Sequence, residues 1–135
     1  MAQAFLLGRL IFGGFFLYNG LNLFLGHATA AQYAAAKGVP FAEVAVLVAG
    51  ALIVFGGASI LLGFQPHLGI AAIVVFLLGV SFPMHDFWAA ADPATRLNEM
   101  VNFTKNMALM GSALMLAAIP QPWPYSVEAR RRIFA

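Results

Sequence analysis

The sequence predicts an all-α protein: an integral membrane four-helix bundle of antiparallel up-down topology with both termini cytoplasmic. Three observations predict it. The chain is 62% hydrophobic and only 9% charged, whereas a soluble domain is about 25% charged. Its mean hydropathy is +0.88, too high for a chain of 135 residues to clothe a core with polar surface. Finally, the apolar residues fall into four runs separated by helix-start chemistry rather than by strand signals. A spanning helix needs about 20 such residues, and isolated strands would leave backbone groups unpaired in lipid.

Taken in order, the helices are expected over about 5–25, 41–64, 67–86 and 93–119, as one transmembrane domain spanning 1–135. A short basic cytoplasmic tail over 120–135 follows. The first run is longer than a signal-peptide core, so it is read as a retained span despite the small residues Ala28, Thr29 and Ala30 after it. Pro40 precedes the second run and Glu43 falls in its first turn. Pro66 opens the third after a very short connection, which predicts an antiparallel helix hairpin. Asp92 and Pro93 open the fourth as N-cap and first helical residue. Pro120, Pro122 and Pro124 end it. In the second run Ala42, Ala45, Ala49, Gly56, Ser59 and Gly63 make a small-residue stripe, the usual means of close helix approach in lipid. Arg9 near one terminus and Arg130, Arg131 and Arg132 near the other place both termini on the cytoplasmic side. The loops over 26–39 and 87–98 then face outward.

Composition also excludes chemistry. There is no cysteine, which removes disulfides, thiol catalysis and thiolate metal sites. Of the histidines, His67 is expected at the opposite end of the bundle from His27 and His85, so no metal site is expected. A few terminal arginines suit topology or a membrane surface, and no nucleic-acid partner is expected.

The polar residues concentrate at the outer end. The stretch "SFPMHDFWAA" closes the third run with His85 and Asp86, just after Pro83, which removes a helix hydrogen bond to the Gly79 carbonyl. In "NFTKNMALMG", Asn102, Lys105 and Asn106 share one face of the fourth helix, with Asn98 a turn earlier. Lys105 lies about 18 Å along that helix. In "FFLYNGLNLF", Tyr18 and Asn22 lie one turn apart with Asn19 beside them, and Trp88 follows the third helix. The expected site is therefore Asn22, His85, Asp86, Asn102, Lys105 and Asn106, supported by Tyr18, Asn19 and Trp88, with Asp86 paired to Lys105. Intramembrane ionisable groups are functional by default. Taken singly, however, the asparagines also suit interhelical hydrogen bonds and the aromatics suit a membrane interface.

The order and spacing of "YNGLNLFLG", "VPFAEVAVLVAGALIVFGGASILLGF", "HDFW" and "NFTKNMALMGSALML" resemble the DoxX family over about residues 7–118. The resemblance implies a small four-helix protein of the bacterial cytoplasmic (inner) membrane, linked to quinol oxidation, thiosulfate:quinone oxidoreduction or oxidative-stress complexes. It carries over Asn22, His85, Asp86, Asn102, Lys105 and Asn106. This chain departs from the family pattern in having Leu23 after the helix-one asparagine, no acid mid-helix two, and Pro66 and His67 in the following loop, which thins the charge network. The implied role is that of a redox-associated subunit whose polar cluster meets a quinone, any catalysis belonging to a quinone-linked oxidoreductase complex. No metal or thiol cofactor is expected. The partners are the lipid bilayer and other membrane subunits or further copies of the chain. The alternative is a non-catalytic accessory subunit in which the cluster sets bundle geometry. A small transporter ranks last, because the polarity stops at one end.

Overall fold

The computed structural model describes residues 1–133, without the side chain of Arg132; the final part of the expected tail, Phe134 and Ala135, lies outside the described residues. These form helices α1 (Ala2–Leu25), α2 (His27–Ala36), α3 (Ala42–Leu62), α4 (Pro66–Met84), α5 (Pro93–Ala117) and α6 (Val127–Ile133), with no strand among the described residues. The all-helical expectation holds. Three of the helices, α1, α3 and α4, are long and apolar enough to cross a membrane. With 25 residues α5 has the length, but its first half carries Arg96, Glu99, Lys105 and asparagines, so its apolar character is confined to the second half.

Two elements were not foreseen: α6, within the expected tail, and α2. The stretch 26–39, expected as an outward loop, contains α2. Its sequence "HATAAQYAAA" is rich in alanine, the best helix former, but too short and polar for a span. It follows α1 with only Gly26 between them and packs on α3, where Ala31, Ala34 and Val46 form a small apolar cluster.

The local signals explain the other boundaries. At the end of α3, Gly63 takes φ +60, a conformation that costs glycine little, and Gln65 takes φ 50 just before Pro66. The chain thus reverses within three residues and α3 and α4 pair as the expected hairpin. Asp92 caps α5 by accepting from the Thr95 N–H at 2.8 Å and from its hydroxyl at 2.8 Å, with Pro93 as the first helical residue. Those donors hold the Asp92 carboxyl below the usual carboxylate range.

Glycines decide which helices touch. A Cβ on Gly57 of α3 would stand 2.6 Å from the Leu17 backbone nitrogen and 2.7 Å from the Gly13 carbonyl oxygen. Hence α1 and α3 cross backbone to backbone. On the other side of α3, a Cβ on Gly56 would meet Ile73 at 2.6 Å and the Gly69 carbonyl at 2.8 Å, which brings in α4. Of the small-residue stripe, Gly56 and Ser59 are buried against α4, while Ala45 and Ala49 line a cavity. Helix α5 packs on α4, and α1 and α5 flank the interior without packing closely on each other. The core joins Phe16, Ile53, Ile60, Ile70, Ile73, Leu77, Ala113 and Trp123.

The residues after α5 close the end of the bundle at which α3 turns into α4. Arg9 is 2% exposed and donates to the Pro124 carbonyl at 3.0 Å, the Tyr125 carbonyl at 3.0 Å and the Leu61 carbonyl at 3.3 Å. Trp123, also buried, packs edge-on against Phe5 with ring centroids 5.3 Å apart, and Glu128 of α6 accepts the Gln65 N–H at 2.8 Å.

Overpacking a tight crossing costs about 1–3 kcal/mol. Gly57→Val is therefore expected to lower the thermal midpoint in detergent or nanodiscs markedly. Gly79→Ala, where a Cβ meets nothing within 4 Å, is expected to leave it unchanged or raise it. Equal midpoints for the two variants would contradict the glycine-mediated α1–α3 contact.

Candidate functional site

The opposite end of the bundle, expected to face outward, gathers five ionisable or phenolic side chains from three parts of the chain. Glu99, in the second turn of α5, is 4% exposed. Its Oε1 accepts from the Tyr33 hydroxyl of α2 at 3.1 Å and lies 3.5 Å from Lys37 Nζ, while its Oε2 lies 2.7 Å from His85 Nδ1. Lys37, just after α2, donates to Asp86 at 2.7 Å. The cluster thereby clamps α2 and the end of α4 onto the start of α5.

The pairing differs from the sequence expectation. Asp86 takes Lys37, not Lys105, as its partner, because α2 folds back over the end of the bundle and delivers a lysine from the presumed loop. Lys105 instead donates to Asn102 Oδ1 at 3.0 Å, one turn back on its own helix. Glu99, Lys37 and Tyr33 were not among the expected site residues. The signal that could have found them is the helical character of 27–36, which brings Lys37 within reach of the two acids.

Beside the cluster lies a cavity of about 130 Å³. Its lining includes Asn19 from α1, His85 after α4, and Lys105 and Asn106 from α5, over an apolar floor of Phe16, Ile53 and Leu77. Asn106 is buried and donates to Ser81 Oγ at 3.2 Å, and Ser81 donates in turn to the Leu77 carbonyl. Asn19 donates to the Phe15 carbonyl at 2.7 Å, and Asn102 to the Asn98 carbonyl at 3.1 Å. So His85, Lys105 and Asn106 meet at one cavity with Asn19, and Asn102 sits one contact behind through Lys105, whereas the Asp86 side chain turns to Lys37, outside the cavity lining. Asn22 and Tyr18 do not join them: both are exposed on α1. Trp88 is half exposed and belongs to an aromatic group with Phe82, Phe87 and Phe103.

A second, larger cavity of about 420 Å³ lies between α2, α3 and α4, lined almost wholly by apolar side chains such as Ala45, Ala49, Leu52, Val75 and Met84. Tyr33 stands at its edge, and Phe76 and Val80 of α4 border both cavities.

The electrostatics follow from these contacts. The hydrogen bond to Asp86 pushes Lys37 above the usual lysine range, and the same bond holds the Asp86 carboxyl below the usual carboxylate range. Burial, and then the bond to Glu99, pushes the Tyr33 hydroxyl up.

Fold and site together define a small helical integral membrane protein with one polar, ionisable end. A family model described as DoxX matches residues 4–86, and the chain belongs to the DoxX family. It is 30% identical over 115 residues, 85% of this chain and 81% of the relative, to the inner membrane protein YphA of Escherichia coli strain K12. Its place is accordingly the inner (cytoplasmic) membrane, as an integral protein. No solved structure matches it.

The Lys37–Asp86 pair gives a stability prediction. The lowered Asp86 group contributes stability above its unfolded value of about 3.9, and that contribution is lost as pH falls through the lower folded value. The raised Lys37 group contributes below about 10.4 and loses its contribution as pH climbs through the higher folded value. The side chains are 22% and 33% exposed, so the pair contributes roughly 0.2–1 kcal/mol. The thermal-midpoint gap between the native chain and Lys37→Met is expected to be larger at pH 7 than at pH 2.5. A gap independent of pH would show that the pair does not act in stability.

Proposed function

We propose that this protein is a redox-associated membrane subunit that binds a quinone headgroup in the small cavity among Asn19, His85, Lys105 and Asn106. The observation that carries this reading is the convergence of an ammonium, an imidazole and two amides from three parts of the fold on one cavity. Lys105 supplies a hydrogen-bond donor for a ring oxygen. His85 supplies an imidazole nitrogen as a second hydrogen-bonding group. Phe16, Ile53 and Leu77 supply the apolar surface under the ring. The cavity is below the 300–1,000 Å³ usual for a whole small molecule, which suits a headgroup whose tail runs out into lipid between α1 and α5.

In the membrane, α5 is the fourth span, with its polar first half turned toward the protein and the outer interface. Both termini then face the cytoplasm, with Arg9 and the basic end of the chain on that side. The cavity residues offer hydrogen bonds alone, so electrons pass to or from a partner subunit.

Native mass spectrometry of the protein extracted in its own lipids tests the reading. A quinone-sized mass shift is expected for the native chain, lost in Lys105→Met and weakened about tenfold or more in His85→Ala, where a buried hydrogen bond goes. Retention of the same quinone by both variants would reject the cavity as its site.

A further inference from the structure

Among the described residues, Glu99 is the most connected acid. Facing it are Tyr33 and Lys37 from α2 and its end, and His85 from the end of α4. Asp86 stands behind Lys37, and Lys105 stands across the small cavity from its partner His85. A hydroxyl, an ammonium and an imidazole thus converge on one carboxyl group. Such a set of donors favours the ionised carboxylate, which has only acceptor oxygens. A carboxylate bonded to Nδ1 of a histidine calls for the hydrogen on that nitrogen and so selects the tautomer. The other ring nitrogen, Nε2, has no hydrogen-bond partner among the described residues, and the ring lines the cavity.

We infer that Glu99 is a positioning residue of this site: its carboxylate holds His85 by Nδ1–H and leaves Nε2 as an accepting nitrogen, so the cavity takes a ring bearing a hydroxyl. This rests on the headgroup reading above and sharpens it. A ring hydroxyl can donate to Nε2 and accept from Lys105 at the same time. A ring carbonyl can only accept, and would leave Nε2 without a partner. A site built to bond a hydroxyl rejects the analogue that lacks it strongly, because a polar group is left unpaired. The Tyr33 hydroxyl and Lys37 keep Glu99 ionised and oriented, so α2 acts on the cavity without touching its ligand.

Nitrogen-15 NMR of His85 in the whole, ligand-free protein in nanodiscs, at a pH where the ring is neutral, tests this without any variant. The Nδ1–H tautomer is expected. An Nε2–H tautomer would overturn the inference. Affinities for a short-tailed benzoquinol and the matching benzoquinone, measured without oxygen, give the second arm. The quinol is expected to bind about tenfold more tightly, with the preference lost in Glu99→Gln. Equal affinity in the native chain, or an undiminished preference in Glu99→Gln, would overturn the positioning role. Failure of the native chain to bind either compound would reject the headgroup reading and with it the ligand, while the tautomer alone would decide how Glu99 holds His85.

Discussion

The backbone-to-backbone crossing of α1 on α3 sets the shape of everything else. With Gly13 and Gly57 face to face, no side chain separates the two helices, and α1 is drawn to one side of α3. Gly56 and Gly69 draw α4 to another side of α3. Helix α5 then finds α4 available but not α1. In water such a seam would be sealed by hydrophobic collapse. In lipid there is no such drive between apolar helices, and only close packing and polar contacts hold them. The interior between α1 and α5 is therefore closed only where specific groups close it.

Two buried charges do so, at opposite ends and by opposite means. At the end where α3 turns into α4, the Arg9 guanidinium has no carboxylate partner among the described residues; its two terminal nitrogens donate to three backbone carbonyls, two from the segment after α5, while Nε is buried without a partner. The stem of that interaction is reinforced by Trp123, whose ring lies 5.8 Å from the guanidinium and edge-on to Phe5. At the other end the charge is the Glu99 carboxylate, and its donors are side chains. A buried ion left without a partner is strongly destabilising, so each of these groups dictates where neighbouring segments must lie. The Arg9 latch spends its terminal nitrogens on backbone carbonyls. The Glu99 cluster leaves a nitrogen at the small cavity, because His85 uses only one ring nitrogen in it.

Much of this was readable from residue order. The all-helical class, the cap of α5 at Asp92 and Pro93, and the tight reversal at residues 63–65 each depend on chemistry within a few neighbouring positions, which a single sequence displays. The convergence of His85, Lys105 and Asn106 was also readable, since each lies on a predictable helix face near the same end. The role of Lys37 was not. It depends on α2, a helix that hydropathy does not flag because it is neither apolar nor long. It depends too on the single-residue junction at Gly26 that turns α2 over the bundle. Once α2 is missed, Lys37 looks like a loop residue, Asp86 is paired with Lys105 instead, and Glu99 looks like an ordinary acid near the start of its helix. Asn22 misled for a different reason: one residue off the buried face of α1 turns a side chain outward, and the glycine contacts that set the rotation of α1 lie on a partner helix.

The exchange of partners at Asp86 changes the chemistry of the cavity. Had Asp86 neutralised Lys105, the cavity would hold a saturated ion pair, with little left to offer a ligand. Lys37 takes that duty instead, at 2.7 Å, and also stands 3.5 Å from Glu99. The two carboxylates are thus served from α2, outside the cavity. Lys105 is left with a neutral amide, Asn102, as its partner at 3.0 Å, and an ammonium has three donors to place. Its positive charge is balanced by no acid in contact with it among the described residues. The headgroup proposed for this cavity would bring an oxygen of partial negative charge to that ammonium, on an apolar ring over Phe16 and Leu77. The same folding-back of α2 that makes the Glu99 cluster self-sufficient is what leaves the cavity cation unspent.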